Sequence, residues 1–330
     1  GNNSTAVGDP ALFRTRTLDL QNKFDTNDEV VIRFRLFSDP FAAGWGWTID
    51  NLKIQIDDTP PLVLHDHIDY LKDTEDELVI ITKASDASGI KSLKIEYKVN
   101  NGTVSDIDFN VNPPASQYQF TLSGLAALSA GNVLEYRIVA TDSVDNEGFF
   151  PPSGNFIKVP VINFGTPAAT YANNFNSPSN DFVGNFFSIA QPNLFVDGAI
   201  HSEHFYPNGV GLDKTSSYSY MLTRPITISA ANPLIRFDEI VVVEGHGVGV
   251  AFGSANFRDY VIVEGSKNGG NTWSRFLDGY DIVGGLSSWI SAFSTGSNPN
   301  AGMFRNRTIN MTANGNFQPG DQVIIRFRLF

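Results

Sequence analysis

The sequence predicts an all-β protein made of β-sandwich modules, and three observations lead there. Short runs of β-branched and aromatic residues alternate with clusters of Gly, Asn, Ser and Pro, the punctuation of strands and turns. The 330 residues, 42% of them hydrophobic, suffice for two or three packed cores. One stretch also occurs twice. Val30-Val31-Ile32-Arg33-Phe34-Arg35-Leu36-Phe37 returns as Val323-Ile324-Ile325-Arg326-Phe327-Arg328-Leu329-Phe330, and Phe13-Arg14-Thr15-Arg16-Thr17 returns as Phe304-Arg305-Asn306-Arg307-Thr308. A repeat of this kind means that one sort of module is present twice.

The first copy continues past its repeat into Gly44-Trp45-Gly46-Trp47-Thr48-Ile49-Asp50-Asn51, whereas the second stops at Phe330. The expectation is a chain of three parts: residues 1–57 as the tail of one module, 58–160 as a second, and 161–330 as a third that lacks its last strand. A further expectation follows. Residues 38–56 should dock on the open edge of 161–330, within one chain or by exchange between chains.

In residues 1–57, Val31, Phe34 and Leu36 sit among Ile32, Arg33 and Arg35, as in a strand with one polar face. Trp45, Trp47, Ile49, Leu52, Ile54 and Ile56 alternate with a change of phase at Asp50-Asn51, the mark of a bulged strand. Asp50 at that break either binds a metal or holds the bulged backbone. Asp57-Asp58-Thr59-Pro60-Pro61 is a linker, since proline cannot continue a ladder. Beyond it Leu78-Val79-Ile80-Ile81 reads as a buried strand. Ile90, Leu93, Ile95, Tyr97 and Val99 form another, ending at the turn Asn100-Asn101-Gly102. Tyr118, Phe120 and Leu122 form a third. Val133, Tyr136, Ile138 and Ala140 form a fourth, followed by Asp142-Ser143-Val144-Asp145-Asn146. Strands at this spacing fit a seven-stranded sandwich of about 100 residues. In 161–330, strands are expected at 235–244 and 260–264, with a turn at Lys267-Asn268-Gly269-Gly270-Asn271-Thr272-Trp273.

Two stretches carry resemblances. Tyr136-Arg137-Ile138-Val139-Ala140-Thr141-Asp142 with Asp145-Asn146, and Asp86-Ala87-Ser88-Gly89-Ile90, resemble a late strand and an early turn of bacterial immunoglobulin-like and fibronectin III-like modules. The run from Asp259 to Trp273, followed by residues 323–328 and by Gly46-Trp47-Thr48-Ile49-Asp50-Asn51 in the first copy, resembles a jelly-roll module. That module is found in secreted surface proteins of Bacteroidetes and is related to the cleaved-adhesin domains of gingipains and to MAM domains. The resemblance implies jelly-roll (concanavalin-like) β-sandwich modules flanking an Ig-like one. It also implies a non-catalytic binding role, often with structural calcium, at the bacterial cell surface or in secretion.

Composition narrows the chemistry. A formal charge of -12 argues against nucleic acid or an anionic membrane, both of which need a basic face. It suits a hard cation such as calcium. With no cysteine there is no thiolate nucleophile, disulfide framework or zinc–cysteine site. No apolar run reaches the ~20 residues of a membrane span. His201-Ser202-Glu203-His204 lacks zinc-protease spacing, His65-Asp66-His67 reads as a solvated strand start, and Gly245-His246-Gly247-Val248-Gly249 reads as a loop between strands. No nucleophile elbow is present. The Asn/Asp-rich loops make Asp50, Asn176, Asp181 and Asp238 the candidate calcium ligands. Trp273, Tyr280 and Trp289 are the candidate ligand-binding aromatics. Each is equally a core residue, because two packed sheets need large side chains between them.

The reading is therefore a non-catalytic adhesion or ligand-binding region of a large secreted or cell-surface protein, with an extracellular glycan or protein as partner. The alternative is a set of accessory modules of an exported protease or glycoside hydrolase whose catalytic domain lies elsewhere.

Overall fold

The computed structural model describes residues 13–18, 20, 23–24, 29–37, 46–54, 57–111, 114–202 and 217–330. It is nearly all β, as expected, and its strands gather around two separate cores.

The first core lies between two sheets. One has strand Glu77–Ser85 between Leu62–His65 and Tyr118–Ser123. The other runs in the order Leu71–Lys72, Ile157–Ile162, Val133–Asp142, Ile90–Val99, Ser105–Asp108, with Glu147–Phe150 also pairing Val133–Asp142. Leu93, Ile95, Leu134, Tyr136 and Ile138 face Val63, Leu78, Ile80 and Leu122 across the gap. The strand at 77–85 is not buried on both faces. Leu78 and Ile80 point inward, whereas Val79 and Ile81 lie on the exposed face, the alternation imposed by a period of two. The turn at Asn100-Asn101-Gly102 forms as expected: Asn100 and Asn101 both take positive φ (51° and 57°), the geometry of a tight primed turn. His65 is not solvated. It is buried, with Nδ1 2.6 Å from the Ile81 carbonyl and Nε2 2.7 Å from the Tyr136 hydroxyl.

The second core is covered by a sheet in the order Phe182–Val183, Tyr218–Leu222, Gln322–Leu329, Val261–Ser266, Ser274–Arg275. Ile226–Thr227 also pairs with Gln322–Leu329, and two two-stranded pairs, Leu234–Glu239 with Arg305–Asn310 and Phe187–Ala190 with Ala199–Ser202, lie beside it. Strand Gln322–Leu329 is the centre of this half. It lies between Tyr218–Leu222 and Val261–Ser266 and sends Val323, Ile325 and Phe327 into the core. Among the described residues one α-helix, Ser287–Thr295, interrupts the β pattern. Gly296 ends it at φ 65°, where its N–H and that of Ser297 cap the last carbonyls.

The two cores meet along a built seam. Ile162, Met221 and Ile324 are buried there with Tyr70, Phe164, Val183 and Trp273 around them. Asp69 is its polar centre: it pairs with His67 (3.0 Å), accepts the Asn185 N–H (3.1 Å) and accepts the Ser219 hydroxyl. His67 lies edge-on to Phe186 and stacks on Tyr218.

The strands expected in the first copy of the repeat do not form. Residues 29–37 and 46–54 carry no strand assignment and are exposed, and 46–54 pair with no strand of 161–330. The reason is elementary: a strand is stable only against neighbours, and among the described residues no strand pairs with this segment. Trp45 and residues 38–44 and 55–56 lie outside the described residues.

Candidate functional site

The expected metal ligands are not brought together. Asp50 is exposed and accepts the N–H of Asn51 (2.8 Å), whose φ of 52° marks the expected break in the pattern. Asn176 accepts the Gly198 N–H at 3.0 Å. Asp181 accepts the Tyr171 hydroxyl at 3.0 Å. Asp238 accepts the Asn306 amide at 3.1 Å. Each therefore ties down its own loop or strand.

Among the described residues, one group of three carboxylates has oxygens that all lie within 4.8 Å of one another: Asp57, Asp86 and Asp142. Asp57 comes from the linker, Asp86 from the early turn and Asp142 from the end of strand Val133–Asp142. Asp142 is buried and accepts the N–H groups of Val144 (2.9 Å) and Asn146 (2.8 Å). Burial pushes its carboxyl up, but the bonds from Asn146 and Val144 outweigh that and hold it below the usual range. The donor set, oxygen only and of high negative charge, fits a hard dication. In the sequence, Asp142 with Asp145 reads as an Asx-built turn or a calcium site between modules; its grouping with Asp57 and Asp86 exists only in space.

The expected aromatic ligand contacts are corrected in one case and restricted in two. Trp289 is fully buried (0%) and its indole N–H donates to the Met303 carbonyl at 2.8 Å. It is a core residue, and its burial leaves no face open to a ligand. Tyr280 donates its hydroxyl to Glu239 (2.6 Å) and lies under the Arg307 guanidinium, 3.9 Å from its ring. Burial first, and the Glu239 carboxylate second, push its phenol well above the ordinary range. Trp273 has Arg326 4.0 Å over its ring and joins the seam.

What the fold does build is a cleft of about 400 Å³ lined by Glu244, Gly245, Gly247, Val250, Asn256, Arg258 and Asp259. It is formed by the glycine-rich loop that leaves the Leu234–Glu239 strand and returns into Val261–Ser266. The loop is pinned from behind. Asp281, buried, accepts the His246 N–H (2.8 Å), holds His246 Nδ1 at 2.7 Å and accepts the Val283 N–H (2.7 Å). The His246 ring stacks on Phe257 at 4.6 Å, and Phe252 and Tyr260 pack edge-on against Phe257. Gly245 is required by close approach: a Cβ there would lie 2.9 Å from the Val283 side chain and 3.0 Å from Ile282. The cleft is shallow and open to solvent. Its rim offers carboxylate acceptors from Glu244 and Asp259 and amide and guanidinium donors from Asn256 and Arg258.

Asp259 is half-buried, and its carboxyl is pushed up, first by burial and then by the Glu244 charge, with Asp281 adding to it. A group with a raised folded pKa binds protons more tightly in the native state. Stability therefore falls as pH rises from the unfolded value near 3.8 through the folded one. Asp259→Asn should thus raise the melting temperature at pH 7 and flatten its dependence above pH 4. An unchanged or lower melting temperature at pH 7 would show that the carboxylate is not under strain. Gly245-His246-Gly247-Val248-Gly249 correctly reads as a loop in the sequence, but the partners that make it a site, Asp259 and Asp281, come from later in the chain.

No family model matches the chain, and no curated protein shows significant similarity to it. Solved structures with partial likeness include a bromine derivative of BhCBM56, 16% identical with a TM-score of 0.21, covering 31% of this chain and 91% of that one. Another is the GH family 64 laminaripentaose-producing beta-1,3-glucanase from Paenibacillus barengoltzii, 13% identical with a TM-score of 0.20, covering 64% of this chain and 33% of that one. The chain thus spans about a third of the glucanase's length. At such scores neither alignment defines a shared fold.

Proposed function

We propose that the chain is a non-catalytic ligand-binding region of a secreted or bacterial cell-surface protein. The ligand site is the cleft at residues 244–259, and it takes a hydroxyl-rich ligand, an extracellular glycan. The observation that carries this is the composition of the cleft. Carboxylates can accept pairs of hydroxyls, and Asn256 and Arg258 can donate to ring oxygens, in a loop held by the Asp281–His246–Phe257 stack. Specificity in such sites comes from a few fixed polar groups. The Asp281–His246 pair serves to fix the loop, since Asp281 already takes three bonds from it and its flank. Among the described residues no helix is long and apolar enough to cross a membrane.

A glycan array probed with the pure chain, with and without EDTA, tests this reading. Binding to one glycan class, lost in Asp259→Asn, supports it. Turnover of a bound glycan, or an array without binding alongside capture of a protein ligand at the same cleft, overturns it.

Calcium belongs to the same proposal, held by Asp57, Asp86 and Asp142 rather than by Asp50, Asn176, Asp181 and Asp238. It would rigidify the junction between the linker and the first sandwich. A ligand that binds only the native state stabilises it by about 2.7 kcal/mol at a hundred times its dissociation constant. The melting transition of the sandwich at 62–162 should therefore rise by several degrees in millimolar calcium and lose that gain in Asp86→Asn. A transition identical in calcium and EDTA would rule the cation out.

A further inference from the structure

The two copies of the repeat have opposite fates. Residues 30–37 and 323–330 are identical at seven of eight positions, with Val31 standing for Ile324. In the second copy the sequence is the central strand of a sheet, and Ile324 is 3% exposed. In the first, Val31 is 90% exposed, and Leu36 and Phe37 are 65% and 81% exposed.

The occupied copy shows what this sequence needs on each side. Strand Tyr218–Leu222 pairs with one edge and Val261–Ser266 with the other, both antiparallel. Val323, Ile325, Phe327 and Leu329 face the apolar side. On the opposite side Glu264 stands across from Arg326 in register and takes both arginines: Arg326 Nε at 2.7 Å, and Arg328 Nε and Nη2 at 2.9 and 2.8 Å. One carboxylate thus neutralises two guanidinium groups on one strand. In the first copy the same arginines, Arg33 and Arg35, form no ion pair with any described residue.

We propose that residues 29–37 are an insertion strand for a sheet that has a one-strand gap. The partner it fits is a polypeptide with two antiparallel strands flanking that gap: alternating apolar residues on one face, and on the other a glutamate opposite Arg33 and within reach of Arg35. The strand adds its main chain to both edges, and the glutamate sets the register. A slip of one residue would put both arginines on the apolar side. Lone apolar residues are common on surfaces, but a contiguous exposed apolar stretch marks an interaction site, and here the paired charges identify the occupant.

Among the described residues one slot has this chemistry, the place of strand Gln322–Leu329, so the test is made in the full chain. Ile325→Pro with Phe327→Pro removes strand Gln322–Leu329 from its place, because proline cannot serve a central strand. Hydrogen exchange is then read over residues 29–37, together with the oligomeric state. The expected result is exchange at 29–37 slowed by at least about a hundredfold, within one chain or across a dimer, and abolished by Arg33→Ala with Arg35→Ala. In parallel, a synthetic peptide of residues 29–37 is added in excess. It should restore native tryptophan emission to the proline variant, whereas the peptide with alanine at both arginine positions should not. Failure of the 29–37 peptide to restore it, whatever the state of the proline variant, overturns the proposal. So does equal rescue by the alanine peptide.

Discussion

Glu264→Ala should destabilise the sandwich at 163–330 by about 3–5 kcal/mol, the cost of breaking a buried pair so that charge is left uncompensated. Glu264 is buried, and its loss leaves Arg326 and Arg328, both more than four-fifths covered, without the carboxylate they are bonded to, the Asp69 charge still acting on Arg326. A domain's whole stability is only about 5–15 kcal/mol, so the variant should be largely unfolded near body temperature. The pH dependence has a defined sign. Burial pushes the Glu264 carboxyl up, but the Arg328 bond and the Arg326 and Arg328 charges overcome this and hold it below 4.5. A depressed carboxyl stabilises above its unfolded pKa, and the contribution fades as pH falls through the folded value. Wild type should therefore lose this contribution below about pH 4.5, and Glu264→Ala should show a flatter acid limb. Thermal unfolding from pH 3 to 7 checks both statements. A shift of less than 1 kcal/mol at pH 7 would mean that the clamp is solvated and weak, as surface pairs are.

Trp289→Ala comes next in size, at about 3–5 kcal/mol. The indole fills the space between Val241, Val243, Ile282 and Leu329, and its removal also deprives the Met303 carbonyl of its donor. The substitution doubles as a test of role. A core tryptophan lost to alanine lowers the melting temperature and leaves any residual ligand affinity to the folded fraction. A variant that melts like wild type but no longer binds ligand would restore the ligand-contact role that its burial denies.

How much of this was legible in the sequence follows from the range of each interaction. Strands Ile90–Val99, Tyr118–Ser123 and Val133–Asp142 were legible because alternation with a period of two is local, as was the Asn100-Asn101-Gly102 turn. Helix Ser287–Thr295 was missed, although Trp289 and Ala292 at helical spacing, with Gly296 behind them, carried the signal. The exposed state of residues 29–37 was not legible, since the same sequence is a buried strand at 322–329; what differs is the neighbour, not the segment. The Glu264 clamp joins residues 62 and 64 positions apart. The Asp57, Asp86 and Asp142 group and the cleft carboxylates depend likewise on topology that no local pattern encodes.

Amide shift mapping during titration of the glycan class selected on the array tests most directly whether ligand binds at the 244–259 loop. The largest perturbations should fall within residues 244–259 and at Asp281, and should vanish in Asp259→Asn while the rest of the spectrum stays native. Perturbations centred instead on the Trp273 seam or on the first sandwich, or a titration unaffected by Asp259→Asn, would contradict it.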